Sequence, residues 1–165
     1  MLLLAAVLPA ANNRANAPEE RSLSFFHTHT GESLEIVYAR DDRYLPTSLD
    51  RINEFLADFR TDDVSLMDPA LLDILYDLRT SLGSNETYEV ISAYRSPVTN
   101  EMLRSQGSGV ARDSQHLLGK AIDVRLRGTT TSRLRDRAIT LARGGVGYYP
   151  DSDFVHIDTG RVRSW

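Results

Sequence analysis

The stretch AIDVRL, Ala121–Leu126, constrains the fold more than any other because it sets a carboxylate among strand-forming apolar residues. Strand side chains alternate, so Ile122, Val124 and Leu126 take one face, and Ala121, Asp123 and Arg125 take the other. An ionised carboxylate is costly to bury alone, so Asp123 requires a partner. The stretch FVHID, Phe154–Asp158, repeats the pattern, with Val155 and Ile157 on one face and Phe154, His156 and Asp158 on the other. Each strand thus has an aliphatic face for a core and a second face carrying groups able to bind a metal. If the two are neighbours in a sheet, Asp123 and His156 converge, and His116, in the loop before the first strand, can fold over to join them.

Two imidazoles and one carboxylate leave the fourth position of a tetrahedral zinc open for water, the arrangement of a catalytic site. Without a metal, Asp123 pairs with an arginine such as Arg125 and the histidines are ordinary core or surface residues. Cysteine is absent, which excludes disulfides and zinc–thiolate chemistry, so any metal site must use His, Asp or Glu. His27 and His29 alternate in FFHTHTGE but lie far from the other candidates in sequence, and structural roles are expected for them.

The surrounding pattern predicts an α+β domain, an antiparallel sheet with helices packed on one side. SLEIVYA (33–39) and YEVISAY (88–94) have strand character. Leu49, Ile52, Leu56 and Phe59 recur at helical spacing after a candidate N-cap, Ser48. A second helix is announced by Asp68 as cap, Pro69 in the first turn and Gly83 at the stop, with Leu71, Leu72, Leu75, Leu78 and Leu82 as its apolar stripe. VTNEMLRSQ and SRLRDRAITLAR read as further helices, the latter closed by Gly144 and Gly145. GVGYYPDSDFVHIDTG reads as a hairpin turning near Pro150–Asp153. A net charge of −4, with the basic residues spread along the chain, argues against a nucleic-acid partner.

The apolar run Leu2–Ala11 is too short to span a bilayer but suits the core of an export signal, and ANA at Ala15–Ala17 is similar to a cleavage site. Residues 1–20 are therefore expected to be a signal peptide or a disordered N-terminal segment, and residues 21–165 the functional domain, with no stable membrane span.

SQHLLGKAID resembles the signature of the zinc peptidases grouped with the D-Ala-D-Ala carboxypeptidases and the Hedgehog amino-terminal domain. HTGE, ISAYRSP, TNEMLR, GGVGYYP and FVHIDTGRVRSW resemble the periplasmic murein endopeptidase branch of that group, from about Arg21 to Trp165. The resemblance implies a Hedgehog/D-Ala-D-Ala-peptidase-like fold, one Zn²⁺ and His116, Asp123 and His156 as its ligands. It also implies a periplasmic enzyme, expected as a monomer, that hydrolyses peptidoglycan stem peptides. Arg95 is implied near the site, steadying a substrate carbonyl or carboxylate, and Ser114 is implied as a support. The general base implied by position is Asp153, three residues before the last histidine, where relatives more often carry glutamate. Strict alternation sets Asp153 on the wrong face, which leaves Asp158 as an alternative base or a residue orienting a ligand. Of the two tyrosines beside the site, Tyr148 is taken to line the substrate groove. Two other outcomes stay open: a carboxypeptidase trimming terminal D-Ala, and an inactive zinc-containing wall-binding module.

Overall fold

The computed structural model describes residues 19–107 and 110–165. The apolar run Leu2–Ala11, the ANA triplet and residues 108 and 109 of the Gly/Ser loop lie outside them.

The chain runs β1 (Glu20–His27), β2 (Ser33–Arg40), β3 (Arg43–Tyr44), α1 (Pro46–Phe55), α2 (Pro69–Ser81), β4 (Tyr88–Ser92) and α3 (Pro97–Ser105). A 3-10 turn (Gln115–Leu118) follows, then β5 (Ala121–Leu126), α4 (Thr131–Leu141), β6 (Gly145–Tyr149), β7 (Phe154–Asp158) and β8 (Arg163–Ser164). All eight strands form one sheet in the order β3-β2-β1-β4-β5-β7-β6-β8.

The sheet is mixed, which corrects the expectation of an antiparallel one. β1 pairs parallel with β4, and β6 pairs parallel with β8. The reason lies in the connections. Two helices carry the chain across between β1–β2 and β4, so β4 re-enters alongside β1 in the same direction, whereas a tight hairpin would have reversed it. β1 itself was not anticipated as a strand, and the two-residue strands β3 and β8 are too short to leave a periodic signature.

One core lies under the sheet. Leu23 and Phe25 of β1, Tyr88 and Val90 of β4, Ile122, Val124 and Leu126 of β5, and Val155 and Ile157 of β7 are all buried in it. Helix α2 answers with Leu71, Leu72, Leu75 and Leu78, each worth about 1.5–3 kcal/mol when fully buried. The Asp68 carboxylate caps this helix by accepting from Ala70 N at 3.0 Å, with Pro69 in the first turn, as the sequence predicts. Tyr88 ties β4 to α2 by donating its hydroxyl to the Leu75 carbonyl at 2.8 Å. Helices α1 and α4 add Ile52, Leu134 and Ala138 to the same core. Helix α3 does not join it. Its buried residues are Thr99 and Asn100, engaged with Ser96 and with the Ala111 carbonyl.

The boundaries of two helices depart from the expectation. Helix α1 starts at Pro46 with Leu45 in the N-cap position, so Ser48 lies inside its first turns rather than capping it. It stops at Phe55 although the apolar spacing continues to Phe59. Asp58 explains the stop: its carboxylate accepts from Arg60 N at 3.1 Å and Ser96 N at 2.9 Å, local and long-range bonds that compete with a helix. Helix α4 closes at Ala142, in the left-handed conformation, and Gly145 opens β6.

Candidate metal centre

Strands β5 and β7 are antiparallel neighbours, and their register sets Asp123 directly opposite His156. With the aliphatic residues of both strands in the core, these two side chains share the opposite face. His116 arrives from the 3-10 turn immediately before β5. That turn is capped by Ser114, whose Oγ accepts from His116 N at 3.3 Å, and closed by Gly119 at φ 65°. A Cβ at Gly119 would stand 2.2 Å from the Leu66 carbonyl oxygen, so only glycine lets the turn seat against that backbone. The Gly119 carbonyl in turn accepts from Asp68 N at 2.9 Å.

The three side chains meet. Asp123 Oδ1 lies 2.9 Å from His156 Nδ1 and 3.3 Å from His116 Nε2, and the two ring nitrogens are 3.2 Å apart. All three residues are buried, and among the described residues theirs is the group of metal-binding type found. Donor atoms about 2.0–2.2 Å from a tetrahedral zinc stand about 3.3–3.6 Å from one another. The observed separations fall within a few tenths of an ångström of that edge, so the donor set fits such an ion in type and spacing.

The far side of each imidazole is engaged as well. His116 Nδ1 lies 2.6 Å from the Ala93 carbonyl oxygen, which fixes Nδ1 as donor and leaves Nε2 facing the cluster. His156 Nε2 lies 3.1 Å from Asp158 Oδ2 and leaves Nδ1 facing the cluster. A carboxylate or carbonyl behind a histidine is the usual device for orienting a metal ligand. Asp158 is fully buried and also accepts from Arg163 Nη2 at 2.8 Å, Gly145 N at 3.1 Å and Gly160 N at 2.7 Å.

Burial opposes ionisation of Asp123, but the charge of His116 and the hydrogen bonds of both imidazoles outweigh it and hold the carboxyl far below its ordinary range. Burial likewise opposes the Asp158 charge, and His156, Arg163 and the Gly160 N–H overcome it. His156 is pushed above the ordinary histidine value: burial lowers it, and the two carboxylates flanking it raise it by more.

The cluster forms part of the floor of a cleft of about 470 Å³. Arg95, just past β4, reaches the same cleft, its Nη2 4.0 Å from Asp123 Oδ2. Its guanidinium is buried, and its Nε has no hydrogen-bond partner. Burial lowers its pKa from the ordinary arginine value and Asp123 works against that shift. Ser114 lines the cleft beside His116.

Asp153 and Tyr148 are not brought to the cluster. The Asp153 carboxylate accepts from Thr131 Oγ1 at 2.8 Å and pairs with Arg125 at 3.3 Å, and the residue does not line the cleft. Asp153 lies in the turn before β7 at φ 50°, outside the extended strand, so strand alternation does not set its direction. Arg125 pairs with Asp153 and Glu89 rather than with Asp123. Tyr148 packs against the core with the Arg135 guanidinium 4.3 Å over its ring, and Tyr149 lines the cleft in its place. The hairpin register contains the reason: Tyr149 pairs with Phe154 and Gly147 with His156, so odd-numbered residues of β6 share the cluster's face. Asp113, Arg163 and Trp165 also line the cleft. None of these three carries a local sequence signal, because each reaches the site through a loop or the β8 pairing.

His27 and His29 stand elsewhere. His27 is buried, and its Nδ1 accepts from His29 N at 3.3 Å and Thr30 N at 3.4 Å, in the turn after β1. Burial, then the neighbouring His29, push its pKa below the ordinary value, as suits a neutral acceptor. His29 stacks flat on Phe59, with ring centres 4.0 Å apart.

A family model described as peptidoglycan L,D-endopeptidase MepK matches residues 15–165. The peptidoglycan L,D-endopeptidase MepK of Escherichia coli strain K12 is 41% identical over 162 residues, which cover 98% of this chain and 89% of that protein. A probable peptidoglycan L,D-endopeptidase MepK of Haemophilus influenzae is 42% identical over 151 residues, covering 91% of this chain and 81% of that protein. No solved structure gives a significant match.

Proposed function

We propose that this chain, which belongs to the peptidoglycan L,D-endopeptidase MepK family of peptidases, hydrolyses peptide cross-links of peptidoglycan with one Zn²⁺ held by His116, Asp123 and His156. The observation that carries this reading is the convergence of three buried donor atoms, all within 4.8 Å of one another, on the floor of a cleft. A Zn²⁺ ion held there by His116, Asp123 and His156 would supply Lewis-acid polarisation of the scissile carbonyl and make water more acidic.

The chain's own residues do the rest. Arg95 presents a permanently charged, forked donor to the substrate carbonyl or carboxylate, and its unpartnered Nε is consistent with a ligand group completing its bonding. Ser114 holds the His116 turn. Asp158 orients His156 and, saturated by His156, Arg163 and two backbone N–H groups, is poorly suited to proton transfer. We therefore assign the general base to Asp153, whose side chain is 60% exposed at the hairpin turn. There it would leave Thr131 and Arg125 to take a proton from the attacking water and pass it to the leaving amine.

A peptidoglycan substrate supports a periplasmic location, with residues 1–20 as a signal peptide or disordered N-terminal segment and residues 21–165 as the peptidase domain. Among the described residues no helix is long and apolar enough to cross a membrane.

The deciding experiment combines metal content with digestion of purified sacculi, for wild type and His116→Ala. About one equivalent of zinc and release of cross-linked material by wild type, both lost in the variant, is the expected result. Shortening of uncross-linked stems instead would make the enzyme a carboxypeptidase. Zinc binding with no hydrolysis by wild type would make it a wall-binding module.

A further inference from the structure

The cleft wall beside His156 is aromatic, and its construction is specific. Trp165 lies on β6 at Gly147, where a Cβ would stand 2.7 Å from the indole Cε2, so bare backbone is needed for the ring to settle there. Its main chain continues the β8 pairing: Trp165 N donates to Val146 O at 3.2 Å, and its carbonyl accepts from Tyr148 N at 3.0 Å. Indole Nε1 donates to the Tyr149 hydroxyl at 3.0 Å, and the Tyr149 ring stacks on Phe154 with centres 4.6 Å apart. The Arg163 guanidinium sits 4.7 Å from the indole centre and the His156 ring 5.3 Å from it. After all these contacts 51% of Trp165 and 39% of Tyr149 remain exposed. A rigid aromatic edge held half bare beside a charged cleft floor is a contact surface for an apolar part of a ligand.

We propose that Trp165 and Tyr149 form the subsite that grips the aliphatic arm of the diamino acid bearing the cross-link, and so set specificity for the residue beside the scissile bond. The inference rests on the peptidoglycan reading above. Its basis is position. The indole neighbours the His156 ring, so whatever covers it adjoins the bond presented to the cluster. In a stem peptide the sugar is separated from the diamino acid by two further residues, each spanning up to about 3.3–3.6 Å when extended. A sugar ring therefore falls beyond this wall when a cross-link sits at the cluster. The methylenes of the arm suit the aromatic edge, while the charged groups of the same residue turn toward Arg95 and Asp113 on the polar lining.

The test compares zinc-loaded wild type, Trp165→Ala and Trp165→Phe on cross-linked peptide dimers with and without their disaccharides, measuring kcat, KM and bound zinc. The backbone bonds of residue 165 survive both substitutions. The expected result for Trp165→Ala is a KM raised about tenfold on both substrates, with kcat and zinc changed by less than about twofold, and most of the loss recovered in Trp165→Phe. An unchanged KM overturns the proposal. So does a defect confined to the disaccharide-bearing dimer, which would make the sugar the occupant. Loss of zinc together with kcat also overturns it, since the indole would then be supporting His156. Failure of wild type to cut either dimer is distinct from these and sinks the peptidoglycan reading together with the inference.

Discussion

Asp123 and His156 face each other across the β5–β7 pair, with Oδ1 of one 2.9 Å from Nδ1 of the other. Register alone achieves this. A slip of one residue would turn the polar face of β7 toward the core and set Val155 or Ile157 opposite Asp123. The neighbouring pairs, Ile122 with Ile157 and Val124 with Val155, are buried and apolar, so burial of the core enforces the alignment that assembles the cluster.

Asp158 holds the imidazole of His156 from behind. Asp158→Asn keeps the shape but weakens that grip, and zinc affinity is expected to fall about 10–100-fold. Titration against a chromophoric chelator reads the change directly, with circular dichroism as the control for folding. An unaltered affinity would remove Asp158 from the ligand's support.

Asp153→Asn tests the proposed base separately from the proposed metal site. With Asp153 as base, kcat drops about 100-fold or more while bound zinc stays near one equivalent. A variant as fast as wild type removes Asp153 from proton transfer.

Gly119→Ala brings a Cβ within 2.2 Å of the Leu66 carbonyl oxygen and imposes a side chain on a φ of 65°. Urea denaturation should show destabilisation of at least about 1–3 kcal/mol. Because the same turn carries His116, zinc occupancy should fall with stability. A midpoint equal to wild type would mean that the turn relaxes without cost.

Asp58 predicts an acid limb in stability. Burial opposes its charge, but hydrogen bonds from Thr99, Ser96 and Arg60 hold its folded-state pKa below the ordinary carboxyl value. The unfolded chain therefore takes up a proton before the native one does. The stabilisation is fully present above the unfolded value of about 3.9 and is lost as pH falls through the folded value. Asp58→Asn should be less stable than wild type at pH 7, with the gap narrowing toward about pH 3 in denaturant titrations. A constant gap across that range would deny the carboxylate any linkage to folding.

Much of the site was legible in local pattern. The period-two alternation of AIDVRL and FVHID marks one aliphatic and one polar face on each strand, and the cap, Pro and Gly of α2 announce that helix with its ends. That Tyr149 rather than Tyr148 shares the cluster's face can be read by counting across the hairpin from His156, which sets Gly147 and Tyr149 on its face. The stop of α1 cannot, because it depends on Asp58 reaching Ser96, 38 residues away.

The residues alone determined the donor types, the absence of thiolate chemistry and the faces on which Asp123 and His156 lie, because side-chain chemistry and strand alternation are properties of adjacent residues. Tertiary structure decided which strands are neighbours, that β1 runs parallel to β4, that Asp153 turns to Thr131, and that Trp165 closes over Gly147. Those outcomes follow from burying one shared core and satisfying backbone groups between segments far apart in the chain, and no short window of sequence encodes either.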